Sequence, residues 1–223
     1  MSFKSKIISV STAAVLTLSL TCQTMAAGTP FTDLNNVSSK DKILELQKEG
    51  YVGGVADGIF APQQTLTMAE GIKLIVNTFG LNIDNVRFIK APKATDYFKN
   101  ADDNAWYADT LIIASVNDLG LPQDIDPNAE MTREEFTYYL IHAMEKYGNL
   151  PMINIVPKDI ADNDQITVEY SGAIQRALVY KIVSLTDGKF NPKAEITRAD
   201  AAEMVYNTLS YLKEHPSPNT SEN

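Results

Sequence analysis

Two arginines stand where an anion could be held. Arg133 and Arg198 each follow a threonine directly and each opens a run of helical apolar spacing, 65 residues apart. A cation in the first turn of a helix opposes the helix dipole, at a cost of about 0.3–1 kcal/mol. The arrangement becomes favourable when an anion sits in front, taking backbone N–H bonds and a bidentate guanidinium contact. At the same register in the first copy stands Met68, which leaves that copy without a cationic clamp. A second role fits the same residues as well: each arginine pairs with a carboxylate, from the Asp96 or Asp159 elements, and ties parts of the chain together.

Other residues could assist or merely shape such a site. Trp106, the one tryptophan, and its neighbour Tyr107 offer a stacking platform for a ring, although a lone tryptophan is more often core. Asp57-Gly58 and Asp187-Gly188 are most simply turn residues, with glycine supplying a positive φ, and contact with a ligand is their second reading. The acidic run Asp159-Ile160-Ala161-Asp162-Asn163-Asp164 lacks the glycine and terminal glutamate of a calcium-binding loop, so helix capping accounts for it better. Catalysis has little to work with. His142 and His215 are far apart, and no phosphate loop, zinc-protease motif or nucleophile elbow is present. No cofactor or metal is called for.

These residues are set by a repeat. Pro62 to Thr67, Pro127 to Thr132 and Pro192 to Thr197 share one pattern: proline, three residues, an aliphatic residue or Met, then Thr, in copies 65 residues apart. Eight residues beyond the threonine stand Ile75, Leu140 and Val205, and twelve beyond stand Phe79, Met144 and Leu209, a spacing that marks one helix face. Glu70, Glu135 and Asp200 lie three residues after the threonine and complete a capping box, the aspartate with less reach. Asp33, Asp96 and Asp159 recur at intervals of 63 upstream. A first helix precedes each loop, over Ser39 to Glu49, Asn104 to Asn117 and Thr167 to Lys181, with short connectors around Lys90 and Leu150. The expected fold is mostly α: three helix-loop-helix repeats, 28–90, 91–150 and 151–213, packed on one another as a pseudo-threefold bundle. A polar tail, 214–223, follows.

Residues 1–27 read as a signal peptide: Lys4 and Lys6, an apolar stretch from Ile7 to Leu20, and a small-residue exit with cleavage after Ala26 or Ala27. The stretch is short for a membrane span. The only cysteine, Cys22, lies inside the signal segment and is poorly placed for lipid attachment, so the exported chain has no thiol chemistry. Removing Lys4 and Lys6 leaves 17 basic against 28 acidic residues, a net charge of −11. That balance argues against nucleic acid and anionic membranes as partners, and any anionic ligand needs a local cationic spot.

The pattern resembles the S-layer homology domain. The first copy gives Phe31-Thr32-Asp33, Asp57-Gly58-Ile59-Phe60-Ala61-Pro62 and Thr67-Met68-Ala69-Glu70. The second gives Trp106-Tyr107 and Thr132-Arg133-Glu134-Glu135, and the third gives Asp187-Gly188-Lys189-Phe190-Asn191-Pro192 and Thr197-Arg198-Ala199-Asp200. The resemblance implies a secreted, non-catalytic protein of the bacterial cell wall. Its partner would be secondary cell-wall polysaccharide, often pyruvylated, held in grooves between repeats, with a surface protein as a further candidate partner. Two departures matter: Met68 replaces the arginine, and Gly120-Leu121-Pro122-Gln123-Asp124-Ile125 replaces the Asp-Gly-x-Phe turn. Both favour the alternative of a structural or protein-interaction role with degenerate sugar sites.

Overall fold

A computed structural model describes residues 29–150 and 154–216. The signal segment, Cys22 and most of the tail lie outside the described residues. Six α-helices carry the fold: α1 (Lys40–Glu49), α2 (Met68–Thr78), α3 (Ala108–Val116), α4 (Arg133–Tyr147), α5 (Val168–Val179) and α6 (Arg198–Glu214). Isolated β-bridges occur among the described residues, but no sheet. None of the described helices is long and apolar enough to cross a membrane.

The even-numbered helices form the centre. Helices α2, α4 and α6 touch one another, and Ile75, Leu140 and Val205 are all fully buried there. The odd-numbered helices pack outside them, but not as hairpins within a repeat. Helix α3 packs on α2, α5 on α4 and α1 on α6, so each first helix lies against the second helix of the preceding repeat. The repeat pattern predicts that the copies pack on one another without saying which helices meet, and the structure supplies that pairing. The reason lies in the loops: the backbone between paired elements is spent on contacts with the next repeat, and the N-terminal helix closes the ring on the C-terminal one.

The closure is visible at the pseudo-threefold axis. Leu66 N–H donates to the Ile196 carbonyl (3.1 Å), Ile196 N–H to the Met131 carbonyl (2.9 Å) and Met131 N–H to the Leu66 carbonyl (2.8 Å). These are the three residues that precede the threonines, and all are buried. Each threonine then caps its helix. Thr67 and Thr132 make full capping boxes with Glu70 and Glu135, whereas Thr197 only accepts from the Asp200 N–H. The shorter aspartate does not return the bond, as its reach predicts.

Several boundaries differ from the sequence reading. Helix α3 starts at Ala108, because Asp102 and Asp103 hold the preceding stretch in turns through Asn104 N–H and Thr95 N–H. The connector across residues 79–93 is long, and Ile89 on it is fully exposed. The acidic register is also corrected. Asp33 accepts from Phe60 N–H (3.0 Å) and Ala61 N–H (2.7 Å), and its counterpart is Asp162, which accepts from Phe190 N–H and Asn191 N–H at 2.8 Å each. Asp159 is therefore not the matching residue. In the second repeat the place belongs to Asn100, whose amide donates to the Asp124 carbonyl (2.8 Å). Asp96 instead sits at a turn of its own, accepting from Lys93 N–H (3.0 Å).

Burial by itself would raise the Asp33 and Asp162 carboxyls, but the pairs of backbone N–H bonds outweigh it and hold both below the ordinary value of 3.8. A depressed native pKa means that the stabilisation is complete above the unfolded value and disappears as pH falls through the folded one. Asp162→Ala should therefore cost about 2 kcal/mol at neutral pH, for two lost charge-assisted bonds to backbone. Thermal melts from pH 7 to pH 2 should show a shallower acid limb in this variant. An acid limb parallel to that of the parent would contradict the assignment.

Candidate functional site

The start of each central helix is already satisfied. Arg198 N–H donates to the Gln64 carbonyl (2.9 Å) and Ala199 N–H to the Pro62 carbonyl (3.0 Å), while Arg133 N–H and Glu134 N–H donate to Ala194 and Pro192. Met68 and Ala69 repeat this with Ala129 and Pro127. The third N–H of each turn goes to the capping threonine. A ligand in front of these helices therefore finds no free backbone donor there, which corrects the expected mode of anion binding. What the geometry does present is the side chains.

Arg198 lines a cleft of about 370 Å³ with Gly53, Phe60, Lys73, Asn77 and Trp106 among its walls. Its Nε donates to the Phe60 carbonyl and its Nη2 to the Gly53 carbonyl, both at 2.8 Å, and its guanidinium lies 4.7 Å from the Phe60 ring centroid. That grip aims the group, and among the described residues nothing accepts from its Nη1 hydrogens. Burial pushes the guanidinium pKa down, with Glu70 and Asp33 pulling it back. Glu70 also lines the cleft, but its Oε2 is held by the capping box, accepting from Thr67 N–H (2.9 Å), and among the described residues it makes no ion pair with Arg198. Trp106 is 57% exposed, which settles its place at the surface and not in the core. The Lys73 ammonium stands 5.1 Å from its ring centroid. The cleft thus draws on all three repeats: the guanidinium from the third, the loop and α2 from the first, and the indole from the second.

Arg133 lines a second cleft, of about 560 Å³, with Lys42, Lys181, Asp200, Glu203, Asn207 and Phe190 among its walls. Here the carboxylate partner is Asp200, 3.9 Å from Nη1, and not Asp96 or Asp159 as the pairing alternative supposed. Lys42 pairs with Glu203 at 2.6 Å. At the equivalent third position Met68 is buried in the core and supplies no charge.

Asp57, Gly58, Asp187 and Gly188 form turns outside the walls of both clefts. Gly58 and Gly188 have φ of 67° and 76°, and Asp187 itself takes 51°. The glycine carbonyls tie the loops to the Phe31-Thr32-Asp33 and Ile160-Ala161-Asp162 elements, Gly58 accepting from Thr32 N–H (2.9 Å) and Gly188 from Ala161 N–H (2.8 Å). Sequence reasoning missed Gly53, Lys73, Lys42 and Glu203. A signal for two of them existed: Lys73 and Glu203 fall at one register, six residues past the capping threonine.

Two stretches of the chain, residues 30–70 and 162–202, match the S-layer homology domain. They hold Arg198, Gly53, Phe60 and the turns at Asp57 and Asp187, whereas Arg133 and Trp106 fall between the S-layer homology segments. Among curated proteins the chain is similar to an amylopullulanase of Thermoanaerobacterium thermosulfurigenes, 28% identical over 80% of this chain and 9% of that protein. It is similar to a surface-layer 125 kDa protein of Lysinibacillus sphaericus, 25% identical over 86% of this chain and 16% of that protein. A cellulosome-anchoring protein of Acetivibrio thermocellus is 24% identical over 71% of this chain and 35% of its own length. The chain spans only a small part of these relatives.

Proposed function

We propose that the chain is a secreted, non-catalytic module that attaches to the bacterial cell wall by holding an anionic wall polysaccharide in the Arg198 cleft. The observation that carries this reading is a guanidinium fixed by two backbone carbonyls, with donors to spare, facing an exposed indole across a groove. The guanidinium and Lys73 suit a carboxylate such as a pyruvyl ketal, and Trp106 suits the apolar face of the sugar that bears it. The S-layer homology segments and the surface-layer and cellulosome-anchoring relatives support wall attachment over catalysis. The Arg133 cleft is the less ready anion site, because its own carboxylates already face its cations. The buried Met68 supports the alternative of a degenerate third groove.

Co-sedimentation with purified wall sacculi tests the reading. The mature protein should pellet with sacculi that carry their polysaccharide and stay in solution with sacculi stripped of it. Equal pelleting with both would remove the polysaccharide from the account. Absence of pelleting with either would favour a purely structural role.

A further inference from the structure

The two clefts occupy equivalent places in the fold but differ in chemistry. In the Arg198 cleft the residue six beyond the capping threonine is Lys73, and the acid three beyond it, Glu70, is locked in a capping box. In the Arg133 cleft the same two registers are Glu203 and Asp200. Asp200 makes no return bond to Thr197, so its carboxylate turns into the cleft, with 49% of its side chain exposed. Glu203 spends one oxygen on Lys42, and the other accepts no hydrogen bond among the described residues.

Arg133 differs from Arg198 as well. Its side chain is only 20% exposed and lies over the Phe190 ring, yet among the described residues it donates no hydrogen bond, and its nearest carboxylate oxygen is 3.9 Å away. Burial pushes its pKa down, with Asp200 and Glu203 opposing. Among the described residues no buried side-chain nitrogen lacks a partner, so the unspent guanidinium hydrogens face the open cleft, where solvent or a ligand accepts from them. Lys181 is a further cation in the walls. The cleft therefore presents donors for an anion and, a few ångströms away, carboxylate acceptors for a cation.

From this juxtaposition we infer that the Arg133 cleft is a second saccharide site that selects a zwitterionic ligand, a sugar bearing both a carboxylate and a free amine. This rests on the saccharide reading above and separates the two clefts by ligand class. The carboxylate lies against Arg133 and Lys181, and the ammonium against Asp200 and the open oxygen of Glu203. N-acetylation of the amine removes its charge and leaves those carboxylates facing a neutral amide, which weakens binding here and leaves the Arg198 cleft indifferent.

Muramic acid and N-acetylmuramic acid are the probes, since they differ only at the amine, and arginine side-chain NMR of the full chain follows each cleft separately. Muramic acid should shift the Arg133 signal with an affinity about tenfold above that of N-acetylmuramic acid. Glu203→Gln, a substitution at a half-exposed position, should erase that preference while the melting temperature and the Arg198 response stay as in the parent. Equal affinity of the two sugars at Arg133, or no response of Arg133 to either, would overturn the inference. With Arg198 still responding to the carboxylates, the wall-binding reading would survive that loss. Silence at both arginines would count against both.

Discussion

Arg198→Ala should lower the affinity for wall polysaccharide by about 10- to 100-fold, the range expected for losing one charge-assisted, forked contact. The substitution removes the cation of the cleft that two backbone carbonyls hold in place. Lys73 remains, but its exposed ammonium over the Trp106 ring is a point charge and cannot replace a planar fork. Arg198→Lys should therefore recover only part of the loss. The carbonyls of Phe60 and Gly53 lose their donor in either variant, yet both border the cleft and can bond to water. Trp106→Ala should weaken binding about tenfold with little effect on the melting temperature, because the indole is mostly exposed. Binding isotherms of the three variants on soluble wall polysaccharide decide the matter. Parent-like affinity in Arg198→Ala would remove the residue from the site.

The largest expected loss of stability comes from Glu134, a residue with no part in ligand binding. Its counterparts are Ala69 and Ala199, so here a carboxylate stands where the other repeats place a methyl group. It is 3% exposed and accepts from Thr167 N–H (3.0 Å), Thr167 Oγ1 (2.7 Å) and the Lys193 ammonium. Burial would raise its pKa, but Lys193 and Thr167 outweigh that and hold it below the usual glutamate value. Thr167 is the N-cap of α5, so this one carboxylate fastens the start of α5 to α4 and to the third loop. Glu134→Ala should cost about 2–3 kcal/mol, since Thr167 loses its acceptors while Lys193 is free to turn to water. For a domain of this size that corresponds to a fall of about 5–10 °C in melting temperature. The sign of the linkage makes the loss full near neutral pH and smaller as pH falls through the native pKa, where the parent loses the same interactions. A difference that stays constant from pH 7 to pH 3 would contradict this assignment.

The repeat was legible because its chemistry is local. A proline, an aliphatic residue and a capping threonine at fixed spacing report a turn, a buried contact and a helix start, and Leu66, Met131 and Ile196 do sit together at the axis. Helical periodicity likewise marked Ile75, Leu140 and Val205 as the buried face. It could not say which helix each face meets, and so the pairing of α3 with α2 was not foreseen. The register of the buried aspartates failed for a related reason. Asp159 and Asp162 differ by less than a turn in sequence, and only the loop N–H groups of Phe190 and Asn191 distinguish them. Satisfaction of the helix starts by neighbouring carbonyls is a tertiary fact with no local signature. The same holds for the clefts, whose walls come from three parts of the chain. Trp106 illustrates the limit well: its type said core, and its position beside Lys73 on the α2–α3 seam put it at the surface.

Trp106 is also the best reporter, being the only tryptophan and standing in the Arg198 cleft. Titration of the full chain with soluble wall polysaccharide should quench or blue-shift its emission along a saturable curve, with a midpoint that matches binding measured by sedimentation. Polysaccharide that binds the protein while leaving the indole emission unchanged would place the contact elsewhere and contradict the account.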